Sequence, residues 1–119
     1  TMVVSENFNA ADHLMPFGFG KEDWRYVRTY GGALGYGVGS AVGAQLATPD
    51  RPVVLGIGDG SVMYSSSGFW TMARYGLPII TVVFNNMQYQ TVRVNFARWG
   101  GNMKDQNKYP LKDYYSGLG

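Results

Sequence analysis

The sequence predicts an α/β fold built on a mostly parallel sheet, and two observations predict it. Two apolar runs, 53–57 and 79–84, are short and continuously apolar, as strands of a buried parallel sheet are. A helical stretch lies between them, and a longer small-residue stretch precedes the first, so the pattern is that of βαβ units.

Taken in order, residues 2–5 read as a short strand and 9–14 as a helical turn or short helix. Residues 26–30 form a candidate second strand that leads into a glycine loop. The segment 36–47 reads as a helix despite Gly37, Gly39 and Gly43, each of which costs about 1 kcal/mol relative to alanine. That cost is tolerable where a small face lets another helix or a ligand pack closely. Residues 52–57 are the first buried strand. Residues 65–75 come next as a helix with Phe69, Met72 and Ala73 on one face, stopped by Gly76 and Pro78. The run 79–84 is the next buried strand, rich in β-branched residues that suit a pleated surface. Beyond Tyr89 the pattern favours neither helix nor loop.

Composition narrows the function. The chain of 119 residues makes one domain, 1–119, long enough to bury roughly two-thirds of its unfolded surface. Hydrophobic residues at 45% and aromatics at 15% give a folded core. A net charge of +2, without a run of Lys and Arg, argues against a nucleic-acid partner. There is no cysteine, which excludes a disulfide framework and a cysteine nucleophile and is compatible with the cytoplasm. No stretch approaches the ~20 apolar residues of a membrane span, so no membrane partner is expected, and the first residues lack a secretory pattern. The 17 glycines cluster in loops and one helix; no repeat or linker divides the chain. The chain starts almost directly in a strand and stops after a glycine-ended loop, which we read as a piece of a longer chain or one chain of a split enzyme.

The most informative run is Gly58-Asp59-Gly60-Ser61 after the first strand, with Asn85-Asn86 after the second. Successive parallel strands would set Asp59 and Asn86 side by side at the carboxyl edge of the sheet, where open α/β folds bind ligands. Glycines beside Asp59 let backbone approach an anion, and Ser61 opens what reads as a helix, whose N-terminus favours phosphate. Hard oxygen ligands next to a phosphate suit magnesium. The joint reading is a site for a magnesium-bound diphosphate. Taken singly, Asp59 is also compatible with a plain βα-turn aspartate, and Asn85-Asn86 with a turn. The run 56–60 fails as a dinucleotide fingerprint because its third glycine position is Ser61 and no acidic residue lies near 76–82. No Walker lysine comes after a glycine loop. His13, Arg93, Arg98 and Trp99 read as solvated, and Met63, Met72 and Met87 as core or interface packing. Glu6 and Asn7, just after the first strand, fall at the same edge as Asp59.

This Gly-Asp-Gly, helix, strand, Asn-Asn series resembles the diphosphate-binding motif of thiamine diphosphate (ThDP) enzymes. The likeness extends to Gly31-Gly32-Ala33-Leu34-Gly35, the small-residue helix to Ala47, and Asn85-Asn86-Met87-Gln88-Tyr89, over most of residues 2–99. The chain is most similar to the benzoylformate decarboxylase and acetolactate synthase branch. The resemblance implies a three-layer α/β/α domain with a mostly parallel sheet, and ThDP and magnesium as cofactors. It makes Asp59 and Asn86 metal ligands, with Gln88 contributing a backbone carbonyl. Gly58, Gly60 and Ser61 would then hold the diphosphate, with Tyr89 placed to assist. Leu34 matches the bulky residue that keeps the cofactor bent, and Gly32 the residue whose carbonyl receives the aminopyrimidine 4′-amino group; these two are the candidate catalytic positions.

The same resemblance implies a partner. The glutamate that protonates the aminopyrimidine belongs to a pyrimidine-binding domain, normally of a neighbouring subunit, and no segment here has that pattern. The chain alone is expected to be inactive, and to work as a homodimer or homotetramer on a small 2-oxo acid, as a decarboxylase or carboligase. Tyr36, Phe69 and Trp70, together with the side-chain-poor face of Gly35, Gly37, Gly39 and Gly43, are the expected assembly surface. The alternatives are a ThDP lyase or hydrolase that does not decarboxylate, and a non-catalytic magnesium- or nucleotide-binding module.

Overall fold

The computed structural model of the chain describes residues 1–7, 25–28 and 33–92, in two compact units, 1–85 and 86–119. Strand β1 (Met2–Glu6) lies between β2 (Arg25–Val27) and β3 (Val53–Gly58), and β4 (Ile79–Phe84) pairs with the far side of β3, giving the order β2-β1-β3-β4. Every pairing is parallel, with Met2 opposite Val53 and Gly58 opposite Phe84. The α/β reading and the parallel sheet stand. The helical turn expected at 9–14 lies outside the described residues, as does the far end of the strand expected at 26–30.

The register decides which side chains share a face. Met2, Val4, Val53, Leu55, Ile57 and Ile79 alternate onto one side, and three helices meet them there. Helix α1 (Gly37–Ala47) contributes Val38 and Ala41, α2 (Asp59–Val62) contributes Val62, and α3 (Ser67–Arg74) contributes Phe69 and Met72. All described helices thus build one core on one face. The described helices make one of the two helical layers of the three-layer reading.

Local chemistry sets where these helices stop. The Thr48 hydroxyl donates to the Ala44 carbonyl at 2.7 Å, and the buried Gln45 amide donates to the carbonyls of Thr48, Pro49 and Arg51 at 3.3–3.4 Å. Pro49 disfavours helical backbone at Thr48 and closes α1. At the end of α3, Gly76 adopts φ +60, its N–H donates to Ala73, and the Leu77 N–H donates to Met72 at 2.9 Å. These two bonds make a Schellman motif, completed by Leu77 packing on the cluster that holds Met72.

Three packing expectations are corrected. Strand β4 is not buried throughout: Ile80 is 58% exposed, and Val82 and Val83 are also exposed, because among the described residues β4 stands at the edge of the sheet and the helices cover one face. Ala73 points to solvent while Met72 and Phe69 face the core, and Met63 and Met87 are exposed, so of their two readings core packing falls away. The glycines do not form one bare stripe. Gly37 faces the sheet, whereas a Cβ on Gly39 or Gly43 would meet nothing within 4 Å.

The close approach of α1 and α3 depends instead on Gly68. A Cβ there would collide with Cγ1 of Val38, which is fully buried and stiff at χ1. Alanine favours a helix by about 1 kcal/mol over glycine, but overpacking costs about 1–3 kcal/mol. Gly68→Ala is therefore expected to lower the urea midpoint. A raised midpoint would show that the two helices separate freely there.

Candidate functional site

Parallel strands that run the same way end on the same edge, so Glu6 of β1, Gly58 of β3 and Phe84 of β4 bring their carboxyl ends together. The residues just past these strand ends form the candidate site. After β3 the chain stays extended at Gly58 (φ −75, ψ 151) and then turns at once into α2. The helix expected to open at Ser61 begins at Asp59, because the Gly58 backbone already serves as its N-cap. At four residues, α2 has little macrodipole, so its offer to an anion is individual N–H groups of the first turn, those of Gly60 and Ser61 included. A Cβ on Gly58 would meet only the Ser61 hydroxyl, at 3.8 Å, so a ligand has room against this backbone. Asp59 and Gly60 are half-buried and Ser61 is buried.

The Leu34 segment reaches the same edge by a separate set of contacts. Helix α1 has no side-chain cap of its own at Tyr36. Instead the Glu6 carboxylate accepts the backbone N–H of Gly35 through Oε1 and that of Gly37 through Oε2. The Tyr36 hydroxyl donates to the Ser5 carbonyl at 2.7 Å, and the Ser65 hydroxyl donates to the Gly35 carbonyl at 3.0 Å. Gly35 takes φ +92, and a Cβ on it would come within 2.9 Å of Tyr64 Cβ, so glycine is required twice over. Leu34 is left 36% exposed. The structure thus ties Leu34 to residues just after α2, on the side of the sheet edge where Asp59 lies.

In the second unit the described residues begin at Asn86. Its side-chain oxygen accepts the Gln88 N–H at 3.0 Å, closing a turn over Met87, which adopts the left-handed conformation at φ 55. Met87 is 80% exposed, and Tyr89 is exposed while Gln88 is half-buried. An Asn oxygen carries two lone pairs, so the bond to Gln88 orients it and leaves one for a further donor or a cation.

Among the candidate residues, the structure brings Leu34, Gly58, Asp59, Gly60 and Ser61 to one edge of the first unit, and joins Asn86 to Gln88 in the second. Gly32, with Gly31, lies outside the described residues, as do His13, Arg93, Arg98 and Trp99. Sequence reasoning set Glu6 at this edge without seeing that α1 takes its carboxylate, and it missed the tethering by Tyr36 and Ser65. No local pattern reveals bonds that span some 30 positions. Among the described residues no group of three or more His, Cys, Asp and Glu side chains is gathered to hold a metal. A hard carboxylate oxygen such as that of Asp59 is the kind of donor magnesium takes, the ion drawing much of its shell from phosphate and water.

A parallel α/β sheet with a glycine-flanked aspartate at its carboxyl edge defines a ligand-binding domain of the open-sheet class. Residues 10–116 match the family model described as thiamine pyrophosphate enzyme, C-terminal TPP binding domain, and the chain belongs to that family. It is 42% identical over 101 residues to a Mycobacterium tuberculosis protein, "Putative acetolactate synthase large subunit IlvX", covering 82% of this chain and 19% of that one. It is 40% identical over 73 residues to benzoylformate decarboxylase of Pseudomonas aeruginosa, covering 61% of this chain and 14% of the relative. A solved structure, the thiamine diphosphate-dependent 4-hydroxybenzoylformate decarboxylase of Rhodococcus jostii, superposes with a TM-score of 0.55 at 40% identity, covering 63% of this chain and 14% of that chain. The chain thus spans less than a fifth of the length of these relatives.

The turn at Met87 gives a test of its own. Left-handed backbone costs a residue with a side chain about 1–2 kcal/mol, and glycine avoids that cost. Met87→Gly is expected to be neutral to stabilising by about 1 kcal/mol, whereas the β-branched Met87→Val should destabilise by at least as much. Denaturation midpoints of the two variants compared with the parent protein decide it.

Proposed function

We propose that this chain is the diphosphate-binding domain of a ThDP-dependent decarboxylase or carboligase acting on a small 2-oxo acid. The observation that carries the reading is the Gly58-Asp59-Gly60 turn at the carboxyl end of β3, beside the end of β4, with Ser65 just past α2 bonded to Gly35 next to Leu34. When bound, ThDP supplies the carbanion chemistry, and the protein supplies binding, orientation and electrostatics. Asp59 and Asn86, with the Gln88 carbonyl, would hold magnesium. The N–H groups of Gly60 and Ser61 would receive the diphosphate against the open backbone of Gly58, with Tyr89 near it. Leu34, exposed yet followed at once by the tethered Gly35, would press on the cofactor and keep it bent, and the Gly32 carbonyl would orient its amino group.

The names of the relatives support 2-oxo acid chemistry, since they include a benzoylformate decarboxylase and a putative acetolactate synthase subunit. The rest of the active site we assign to a pyrimidine-binding domain of a neighbouring subunit or chain, in a homodimer or homotetramer in the cytoplasm. Phe69 packs on the core and Tyr36 is half-buried and bonded to Ser5, which leaves Trp70, 68% exposed, as the aromatic of that group available to a partner. Among the described residues no helix is long and apolar enough to cross a membrane.

Asp59→Ala in the full-length protein should remove magnesium-dependent ThDP binding, because the diphosphate loses its bridging cation. The loss should exceed the ~10–100-fold typical of removing an outer-shell partner. Asn86→Ala should cost less, since a neutral carboxamide is removed. Calorimetric titration of ThDP with and without magnesium reads both, and an affinity unchanged in Asp59→Ala would refute the metal assignment.

The proposed role of Leu34 is one of shape. Leu34→Ala should reduce kcat more than cofactor affinity, whereas Leu34→Met keeps the bulk, a swap that usually costs under ~1.5 kcal/mol. Steady-state kinetics should find most turnover retained in the second variant; equal damage from both would rule out a wedge.

A further inference from the structure

We infer that Glu6 is the positioning residue for Leu34: its buried carboxylate, clamped on the N–H groups of Gly35 and Gly37, sets where Leu34 stands against a bound cofactor. The inference rests on the proposed role of Leu34. Glu6 is 2% exposed, and among the described residues its carboxylate meets no cation. Both oxygens are committed, one to each N–H. A carboxylate that bridges two N–H groups so close in the chain holds the intervening peptides in one orientation. Leu34 is the residue immediately before that bridge, so its backbone direction is set by it.

The alternative is that Glu6 merely caps α1. Two features argue for more. The clamp extends beyond the helix to Gly35, where the backbone is left-handed and already tight against Tyr64. It also acts together with two other long-range tethers, the Tyr36 hydroxyl on the Ser5 carbonyl and the Ser65 hydroxyl on the Gly35 carbonyl. A cap for α1 needs neither Gly35 nor Ser65. Three tethers around one residue fix the step from Leu34 into the helix, and Glu6 is the charged one among them. The second oxygen imposes a requirement as well: a Cβ at position 37 would stand 2.7 Å from Oε2, so Gly37 is the residue that admits the carboxylate.

Glu6→Gln tests the clamp while keeping size and one acceptor oxygen; its NH2 group faces an N–H and cannot accept. In the full-length protein it should lower kcat by about tenfold or more, since an ångström of misplacement can cost ~10²-fold. KM and the ThDP dissociation constant should change by less than about threefold, as expected when the loss falls on the transition state rather than on binding. Hydrogen–deuterium exchange should quicken in the peptide containing residues 34–38 of the cofactor-free protein. In a Leu34→Ala background the same substitution should have little further effect on kcat, because coupled residues are non-additive. Gly37→Ala, which displaces the carboxylate from the other side, should show the same signature and carries the test if Glu6→Gln fails to fold. Unchanged exchange in Glu6→Gln overturns the clamp, and full additivity with Leu34→Ala overturns the positioning role. Full turnover in Leu34→Ala alone would instead remove the reading of Leu34, and this inference with it.

Discussion

A buried carboxylate placed against a helix start is the constraint on which the arrangement of this chain depends. Glu6 ends the central strand β1 inside the protein, where an unpaired charge would be very costly. The N–H groups of Gly35 and Gly37 offset that cost, with hydrogen bonds to a charged group contributing about 1.5–3 kcal/mol each. The benefit is mutual, because α1 has no side-chain cap and its first N–H groups lack partners within the helix. An anion at a helix N-terminus adds about 0.3–1 kcal/mol, and more when partly buried. One interaction therefore joins the end of β1 to the start of α1 and fixes how that helix lies on the sheet.

This has two consequences for the site. The N-terminus of the longest described helix is taken by an internal anion, so the backbone left open at this edge is that of Gly58 and the short turn of α2. The register of α1 also becomes fixed: Val38, Ala41 and Gln45 turn inward while Gly39 and Gly43 turn outward. Val38 then meets Gly68 of α3, whose missing side chain lets the two helices come close, with Met72 joining Val38 and Leu55 in one core cluster. The edge that carries Asp59 is in this way supported by the core that the described helices pack on one face of the sheet. The exposed apolar residues of β4 and Trp70 show that surface for further contact remains on this unit.

Much of this was legible in the chain because it depends on near neighbours. Continuous β-branched runs marked β3 and β4, the Gly76 and Pro78 signal marked the end of α3 through its Schellman bonds, and the glycine-flanked aspartate was found at the end of a strand, as its spacing required. Family membership was equally legible, because it is carried by residues in order: Gly58-Asp59-Gly60, then Asn85-Asn86, then Gln88 and Tyr89.

Tertiary structure decided the contacts that sequence distance conceals. That Glu6 serves Gly35 and Gly37, that Tyr36 ties to Ser5, and that Ser65 reaches Gly35 are contacts between residues some 30 positions apart, and periodicity carries no information about them. The exposure of β4 was equally hidden, since an apolar run states only that burial would be favourable, while edge position and the covered face decide whether it happens. The start of α2 at Asp59, and the inward turn of Gly37, were set by how β3 delivers the chain and by the surface α1 packs against. The sequence by itself determined which chemistry stands at the sheet edge. The fold decided which backbone groups are already committed there, because hydrogen bonds form between whatever the packing brings together.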